Sequence, residues 1–260
     1  EVSLGLVGSE MCIRDSVFIW EDHAGEIHEE DCARRLSAMT TVEGAHYGPI
    51  SEGKVQLIAD IPGMFRVNKT LLEKINRIGD ITITTLPDHY PVTPGQKLVS
   101  MRIVPLVTQE SQIEEAEAFA KTEKLYDLRP YQPKKVGIII TGSELYHGRI
   151  KDKFEAVARA KLAKYPSEIL GATVCDDALD MIVGAAQEFL AQGADFLIFS
   201  GGMSVDPDDL TPSAIRALGA NVVSYGVPSQ PGNMTLVADL NGVSILGVPG
   251  AAISLSLIHI

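Results

Sequence analysis

In the second half of the chain, short apolar runs alternate with segments in which apolar residues recur at helical spacing. The β-branched runs favour strands, and a spacing of three and four residues favours helices that bury one face. The predicted strands cover 136–140, 172–174, 196–199 and 222–225, and the predicted helices cover 154–162, 179–190 and 213–218. This alternation predicts an α/β fold with a mainly parallel sheet and helices on both faces.

Turn and capping residues mark several ends of these elements. Gly193 follows the second helix and is expected to end it. Thr211 and Pro212 are typical of an N-cap followed by proline at the first helical position. The dipeptide Asn241-Gly242 separates two apolar runs and predicts a C-terminal hairpin of 234–240 with 243–248.

The first half of the chain has a mixed order of elements. Runs at 54–59, 81–86 and 96–104 are strand-like, and 69–78 has the spacing of a short amphipathic helix. This order predicts a small α+β domain. Residues 110–124 are rich in Glu and Ala and predict an exposed helix, which we interpret as a connector.

The domain organisation follows from these patterns. Residues 1–16 and 255–260 have no period that continues into their neighbours, so we interpret them as non-native segments and exclude them. The predicted parts are an α+β domain truncated at its amino end, a helical connector and an α/β domain, at 17–109, 110–133 and 134–254.

Composition narrows the classes of partner. A formal charge of -12 argues against nucleic acid and anionic membranes as partners. No apolar run approaches the roughly 20 residues that span a bilayer, and no signal peptide is apparent, so we expect a cytoplasmic protein. Cys32 and Cys175 lie far apart without a metal-ligand pattern and are expected to be reduced thiols.

Two glycine-containing loops follow predicted strands and carry the candidate chemistry. One runs from Thr141 to Asp152, and the other runs from Ser200 to Pro212. Ligands of open α/β sheets bind outside the carboxyl ends of the strands, so the loops are expected to share one crevice. Glycines there let the backbone approach a ligand closely, and free N–H groups suit a phosphate. Neither loop is a G-x-G-x-x-G or a P-loop.

The acidic residues of these loops are open to two interpretations. Asp209 either holds Mg²⁺ or orients a phosphate or molybdate group, or it only complements a helix dipole. Asp208 and Asp206 are either ligands or acids of a surface turn. Glu144 and Asp152 either complete the metal site or stabilise their loop.

The loop sequences resemble the molybdopterin-binding domain family of the molybdenum cofactor biosynthesis enzymes. Thr141-Gly142-Ser143-Glu144-Leu145 with Gly148, Ile150 and Asp152 is similar to the T-G-[DS]-E-L, G-x-I-x-D pattern of molybdopterin molybdotransferase. Gly201-Gly202 with Ser204-Val205 is similar to its G-G-x-S-V-G loop, and Pro207 to Ala214 also fits molybdopterin adenylyltransferase. Pro231-Gly232 and Pro249-Gly250 resemble segments that close the pocket.

The resemblance implies Mg²⁺-dependent insertion of molybdate into adenylylated molybdopterin, with release of AMP. The substrates would be a small pterin and molybdate, and the family's members are often homodimers. The implied catalytic residues are Asp209, Asp152 and Glu144, and the implied metal ligands are Asp209 and Asp208. The implied molybdopterin-binding residues are Thr141, Gly142, Ser143, Gly201, Gly202, Ser204, Pro231, Gly232, Pro249 and Gly250.

Departures from the family pattern keep two alternatives open. Asp206 replaces a glycine, Lys153-Phe154 replaces Ser-Asn, Gln230 replaces a lysine and Ala251-Ala252 replaces Asn-Pro. Asp206, Gln230 and the missing Ser-Asn pair favour a noncatalytic molybdopterin-binding sensor or carrier. The segment 208–211 also resembles the competence-damage-inducible family, which implies pyridine nucleotide chemistry as the second alternative.

Overall fold

The computed structural model describes residues 23–204, 206, 208–228 and 232–250. The predicted non-native segments 1–16 and 255–260 therefore lie outside the described residues. The chain divides into two compact units. Unit 1 holds the described residues up to Ile61 together with Phe65–Leu128, and unit 2 holds Pro62–Met64 and the described residues from Arg129 onward.

The first part of the chain, up to residue 130, contains nine strands and three helices within the described residues. The strands are β1 Glu26–His28, β2 Ala45–Tyr47, β3 Val55–Ala59, β4 Gly63–Val67, β5 Ile81–Thr85, β6 Tyr90–Val92, β7 Lys97–Ile103, β8 Val107–Gln109 and β9 Tyr126–Pro130. The helices are α1 Glu29–Ala38, α2 Lys69–Asn76 and α3 Glu110–Ala120. Strands β2, β3, β7 and β5 form an antiparallel sheet in that order. The strands and helix predicted for this part are present within a few residues of their expected bounds.

Helix α3 differs from the predicted connector, because it packs into the core of unit 1. Ile113 and Ala116 are fully buried there. Arg35 pairs with Glu110 and Glu117 at 2.7 and 2.8 Å. Two of the glutamates that suggested a solvated helix, Glu110 and Glu117, therefore meet a cation from α1, which the local sequence of α3 does not reveal.

The carboxylate of Asp88 makes the stability of unit 1 depend on pH in the acid range. The backbone N–H of Val67 and the guanidinium of Arg66 donate to its Oδ1 at 3.1 and 3.0 Å, and they lower the pKa of Asp88 to about 2. The carboxylate thus stabilises the fold above its ordinary pKa of 3.8, and this contribution is lost as the pH falls from there towards 2.

We expect Asp88→Asn to destabilise unit 1 at neutral pH by an amount that shrinks steadily below pH 3.8. Urea unfolding of both proteins across this acid range measures the difference. Glu114→Gln is the matched control, because Glu114 is exposed on the surface of α3. A difference between wild type and Asp88→Asn that stays constant with pH would contradict the expectation.

The described part of unit 2 contains the remaining elements. Its strands are β10 Lys134–Thr141, β11 Ser167–Cys175, β12 Phe196–Ser200, β13 Asn221–Tyr225, β14 Leu236–Leu240 and β15 Val243–Val248. Its helices are α4 Ser143–Tyr146, α5 Phe154–Leu162, α6 Leu179–Ala191 and α7 Thr211–Ala217. The sheet order is β11-β10-β12-β15-β14-β13; the first four strands are parallel, and β14 is antiparallel to both of its neighbours.

Apolar residues cover both faces of this sheet. Ile139, Leu197 and Phe199 pack on one face with residues of α6 and α7. Alternate residues of the same strands, such as Ile138 and Ile198, pack on the other face with residues of α5. This arrangement confirms the predicted α/β fold with helices on both faces.

Both predicted turn signals hold in unit 2. Asn241 and Gly242 have positive φ of 52° and 92°, as a type I′ turn requires, and they join β14 to β15. Gly193 has a φ of 86°, and its N–H donates to the carbonyl of Leu190 at 2.9 Å, which ends α6.

The strand predicted at 172–174 is longer than expected, because β11 begins at Ser167. Gly171 lies inside this strand and pairs with Gly137. The ring of Phe189 lies against both glycines, which explains why side chains are absent there. Within the described residues, no helix has the length and apolar character needed to cross a membrane.

Candidate functional site

The two glycine-containing loops meet at the carboxyl edge of the sheet of unit 2. Strands β10 and β12 are parallel neighbours, and Ile140 pairs with Ser200 at their ends. A cavity of about 560 Å³ opens at this edge. The lining residues are Ile140, Thr141, Leu145, Ile150, Lys151, Asp152, Lys153, Phe154, Ser200, Gly201 and Gly250.

Buried hydroxyl groups join the two loops beside the cavity. The Oγ1 atoms of Thr141 and Thr211 lie 3.1 Å apart, and the Thr211 hydroxyl donates to the carbonyl of Gly201 at 2.9 Å. Thr211 is therefore not the predicted N-cap: α7 begins at Thr211, and the preceding Leu210 makes no side-chain cap. The hydroxyl of Thr211 contacts Thr141 and Gly201 instead of capping α7.

The two glycines after β12 are required by the protein's own backbone. A Cβ on Gly201 would overlap the carbonyl oxygen of Thr141, and one on Gly202 would lie 2.8 Å from Thr211 Oγ1. Both glycines also have positive φ, of 90° and 53°. Close packing of the loops alone accounts for them, whether or not a ligand approaches.

A carboxylate that follows a third strand, β11, holds the first loop in place. The N–H of Ser143 donates to Asp177 Oδ2 at 2.9 Å, and Asp177 follows β11. Gly142 precedes the short helix α4, while Glu144 is exposed and is not among the residues that line the cavity. His147 is exposed, and its Nδ1 lies 2.9 Å from the carbonyl oxygen of Ser143.

Asp152 lines the cavity, but its carboxylate already has partners. Its two oxygens accept hydrogen bonds from the N–H groups of Phe154 and Glu155, each at 2.9 Å. These bonds satisfy donors at the start of α5 and complement the helix dipole there. Asp152 therefore holds α5 and the cavity wall in place.

Asp209 stabilises the second loop. Its Oδ2 accepts a hydrogen bond from the N–H of Ser204 at 2.7 Å. The hydroxyl of Tyr225 donates to the carbonyl of Met203 at 2.9 Å, and burial raises the pKa of this phenol, which keeps it a donor. Asp208 is exposed, and neither Asp208 nor Asp209 is among the residues that line the cavity.

The acids of these loops supply few ligands for a magnesium ion. Within the described ranges, no three His, Cys, Asp or Glu side chains come together as a metal-binding group. Magnesium in proteins often takes one or two carboxylates and completes its shell with water and substrate phosphate. Asp208 and Asp209 offer at most two carboxylates, and within the described residues they form no protein cage for the ion.

The structure thus brings together part of the predicted site. Thr141, Asp152, Gly201 and Gly250 line the cavity. Gly232 is buried at a φ of 94° and Pro249 is half-buried, but neither lines the cavity. The predicted residue Pro231 lies outside the described residues. The predicted site did not include Lys151, Asp177 and Tyr225, and the sequence analysis treated Lys153 and Phe154 only as departures from the family pattern.

A comparison with known protein families finds a match in the second half of the chain. Residues 137–258 match the family of the probable molybdopterin binding domain. This match confirms the resemblance seen in the loop sequences. The described residues of this match fall in unit 2, which is therefore the part of the chain that is similar to that family.

Individual relatives agree over part of their length. The molybdopterin molybdenumtransferase of Bacillus subtilis is 33% identical over 122 residues, which are 44% of this chain and 28% of that protein. A CinA-like protein of a Mycobacterium species (strain JLS) is 31% identical over 81 residues, which are 31% of this chain and 19% of that protein. The chain therefore spans less than a third of the length of these relatives.

Solved structures are similar over part of this chain at low sequence identity. The molybdopterin biosynthesis enzyme MoaB of Thermus thermophilus is 23% identical, with a TM-score of 0.40, over 45% of this chain and 81% of that chain. The tungsten cofactor synthesizing protein MoaB of Pyrococcus furiosus is 22% identical, with a TM-score of 0.41, over 46% and 83%.

Proposed function

We propose that unit 2 binds molybdopterin in the cavity at the carboxyl edge of its sheet and takes part in Mg²⁺-dependent insertion of molybdate into adenylylated molybdopterin. The observation that carries the proposal is the composition of the cavity wall. Thr141 and Asp152 belong to one segment of the family pattern, Gly201 and Gly250 belong to two others, and all four line one cavity. The family match of residues 137–258 and the named Bacillus subtilis relative support the same ligand class.

The chain's own groups would bind and orient the substrate. The apolar residues Leu145, Ile150 and Phe154 offer surface to a flat ring, and Thr141 and Ser200 offer polar groups beside it. Asp152 keeps α5 and its wall in place. Magnesium, when bound with the substrate's phosphate, supplies charge neutralisation for cleavage of the phosphoanhydride.

A second candidate function is noncatalytic binding of molybdopterin by a sensor or carrier module. The specific observation behind it is that Asp152 and Asp209 both accept hydrogen bonds from backbone N–H groups. Acids that stabilise loops are less free to act as metal ligands or as bases. The two candidates share the ligand and differ only in turnover.

Calorimetry with the full chain tests the ligand class. Molybdopterin and its adenylylated form are titrated with and without Mg²⁺, and nicotinamide mononucleotide serves as the competing ligand. Pterin binding that the nucleotide does not displace is the expected result. Binding of the nucleotide alone would overturn the proposal in favour of the chemistry expected of the competence-damage-inducible family.

Turnover is tested at Asp209 with two variants. We expect Asp209→Ala and Asp209→Asn each to lower AMP release about a hundredfold, because both remove the negative charge, while molybdopterin affinity changes little. Asn keeps an oxygen that can accept the hydrogen bond from Ser204, so it separates charge from loop support. Normal AMP release by Asp209→Asn with loss in Asp209→Ala would limit Asp209 to a structural role. No AMP release by wild type would favour the noncatalytic module.

A further inference from the structure

The cavity at the carboxyl edge of unit 2 carries positive charge in a chain that is strongly acidic. Its charged lining residues are Lys151, Lys153 and Asp152. The whole chain has a formal charge of -12, so a wall with two ammonium groups and one carboxylate is a local exception. Low-dielectric walls focus the field of such charges onto a ligand.

The carboxylate in this wall does not neutralise the lysines directly. Both oxygens of Asp152 are engaged by the N–H groups of Phe154 and Glu155, at the start of α5. Both lysines are exposed, and within the described parts of the chain neither forms an ion pair. Their ammonium groups are therefore available to an anion in the cavity.

The other lining residues form an apolar part and a polar part of the cavity wall. Ile140, Leu145, Ile150 and Phe154 supply apolar surface, whereas Thr141, Ser200 and Gly201 lie at the strand ends. A ligand that fits both parts has an apolar or aromatic body with an anionic group attached. Lysine is suited to such a group, because its compact ammonium binds phosphate as a point charge.

We infer that Lys151 and Lys153 bind the phosphate of the pterin ligand and give the cavity its selectivity for phosphorylated ligands. The pterin part of this inference rests on the proposed function. The anion part stands on the cavity alone. Neither lysine acts on a reacting bond, so both are binding residues, and their removal acts on affinity for the anion.

The test compares wild type with Lys151→Gln, Lys153→Gln and the double variant, by calorimetry with inorganic pyrophosphate and with molybdopterin. Each single variant is expected to lose about tenfold in affinity for either ligand, and the double variant more, because a charge-assisted contact is removed. The wild-type affinity should fall with added salt more steeply than that of the double variant.

Two controls keep the result specific. Lys164→Gln removes a charge that is also exposed and that lies just beyond the end of α5, outside the cavity lining, so this variant should bind as wild type does. Lys151→Arg with Lys153→Arg keeps both charges and should retain most of the affinity. Circular dichroism melts confirm that every variant is folded, since exposed lysines are not needed for the core.

The outcomes separate the two proposals. Wild-type molybdopterin binding that the double variant retains in full would overturn the role of the lysines and leave the proposed function standing. Lysine-dependent pyrophosphate binding without molybdopterin binding would support the anion site and overturn the pterin ligand. Binding of neither ligand by wild type would overturn both.

Discussion

Gly201→Ala is expected to lower the free energy of unfolding of unit 2 by about 3 kcal/mol or more. The φ of Gly201 is 90°, in a region that side chains rarely adopt. The new Cβ would also overlap the carbonyl oxygen of Thr141, which belongs to the backbone of β10 and has little freedom to move. The two effects add, because relieving one does not relieve the other. Urea unfolding followed by circular dichroism measures the loss.

A matched glycine separates the effect of backbone conformation from that of overlap. Gly193 has a similar φ of 86°, and a Cβ there would meet no atom within 4 Å. Gly193→Ala should therefore cost only about 1 kcal/mol. Equal stabilities of the two variants would show that the packing of Gly201 against Thr141 is not tight. Since Gly201 also lines the cavity, Gly201→Ala should weaken molybdopterin binding under the proposed function, whereas Gly193→Ala should not.

Features that depend on a few neighbouring residues were predictable from the sequence. The turn at Asn241-Gly242 needs positive φ at two successive residues, and these residue types favour such φ values in any context. The end of α6 at Gly193 follows in the same way. The order of strands and helices in unit 2 is similarly local, because each apolar period belongs to one element.

Features that depend on distant partners were not predictable in this way. Thr211 has the residue type and position of an N-cap, yet its hydroxyl contacts Gly201 and Thr141, the latter 70 positions earlier. Helix α3 has the composition of a solvated connector, and only the position of Arg35 shows why Glu110 and Glu117 are satisfied.

The candidate site shows the same limit. The sequence indicated the glycines and acids because they follow strands, but only some of them line the cavity. Lys151 and Lys153 flank an acid in a loop, a pattern that is common on protein surfaces, so their place in the cavity wall appears only in three dimensions. The hydrogen bond from Tyr225 to the carbonyl of Met203 likewise spans two elements and leaves no signal in either.

Phe189→Ala is expected to lower the free energy of unfolding by about 3–5 kcal/mol, through loss of a buried ring. Phe189 is only 5% exposed and packs in the core between α6 and the sheet. A Cβ on Gly137 would lie 2.5 Å from its ring, and one on Gly171 would lie 3.2 Å from it. The ring therefore occupies the space that side chains at these two strand positions would need.

The same contact predicts the effect of adding a side chain at Gly137. Gly137→Ala should cost about 2 kcal/mol, because the ring must move, and Phe189→Leu in the same chain should recover part of that cost. Gly184→Ala is the control, since Gly184 lies inside α6 with open space at its Cβ, and alanine there should stabilise the helix slightly. Urea unfolding of Gly137→Ala, Phe189→Leu and the double variant gives the coupling energy between the two positions. Strictly additive costs would contradict a direct contact between the ring and Gly137 as the reason for glycine in β10.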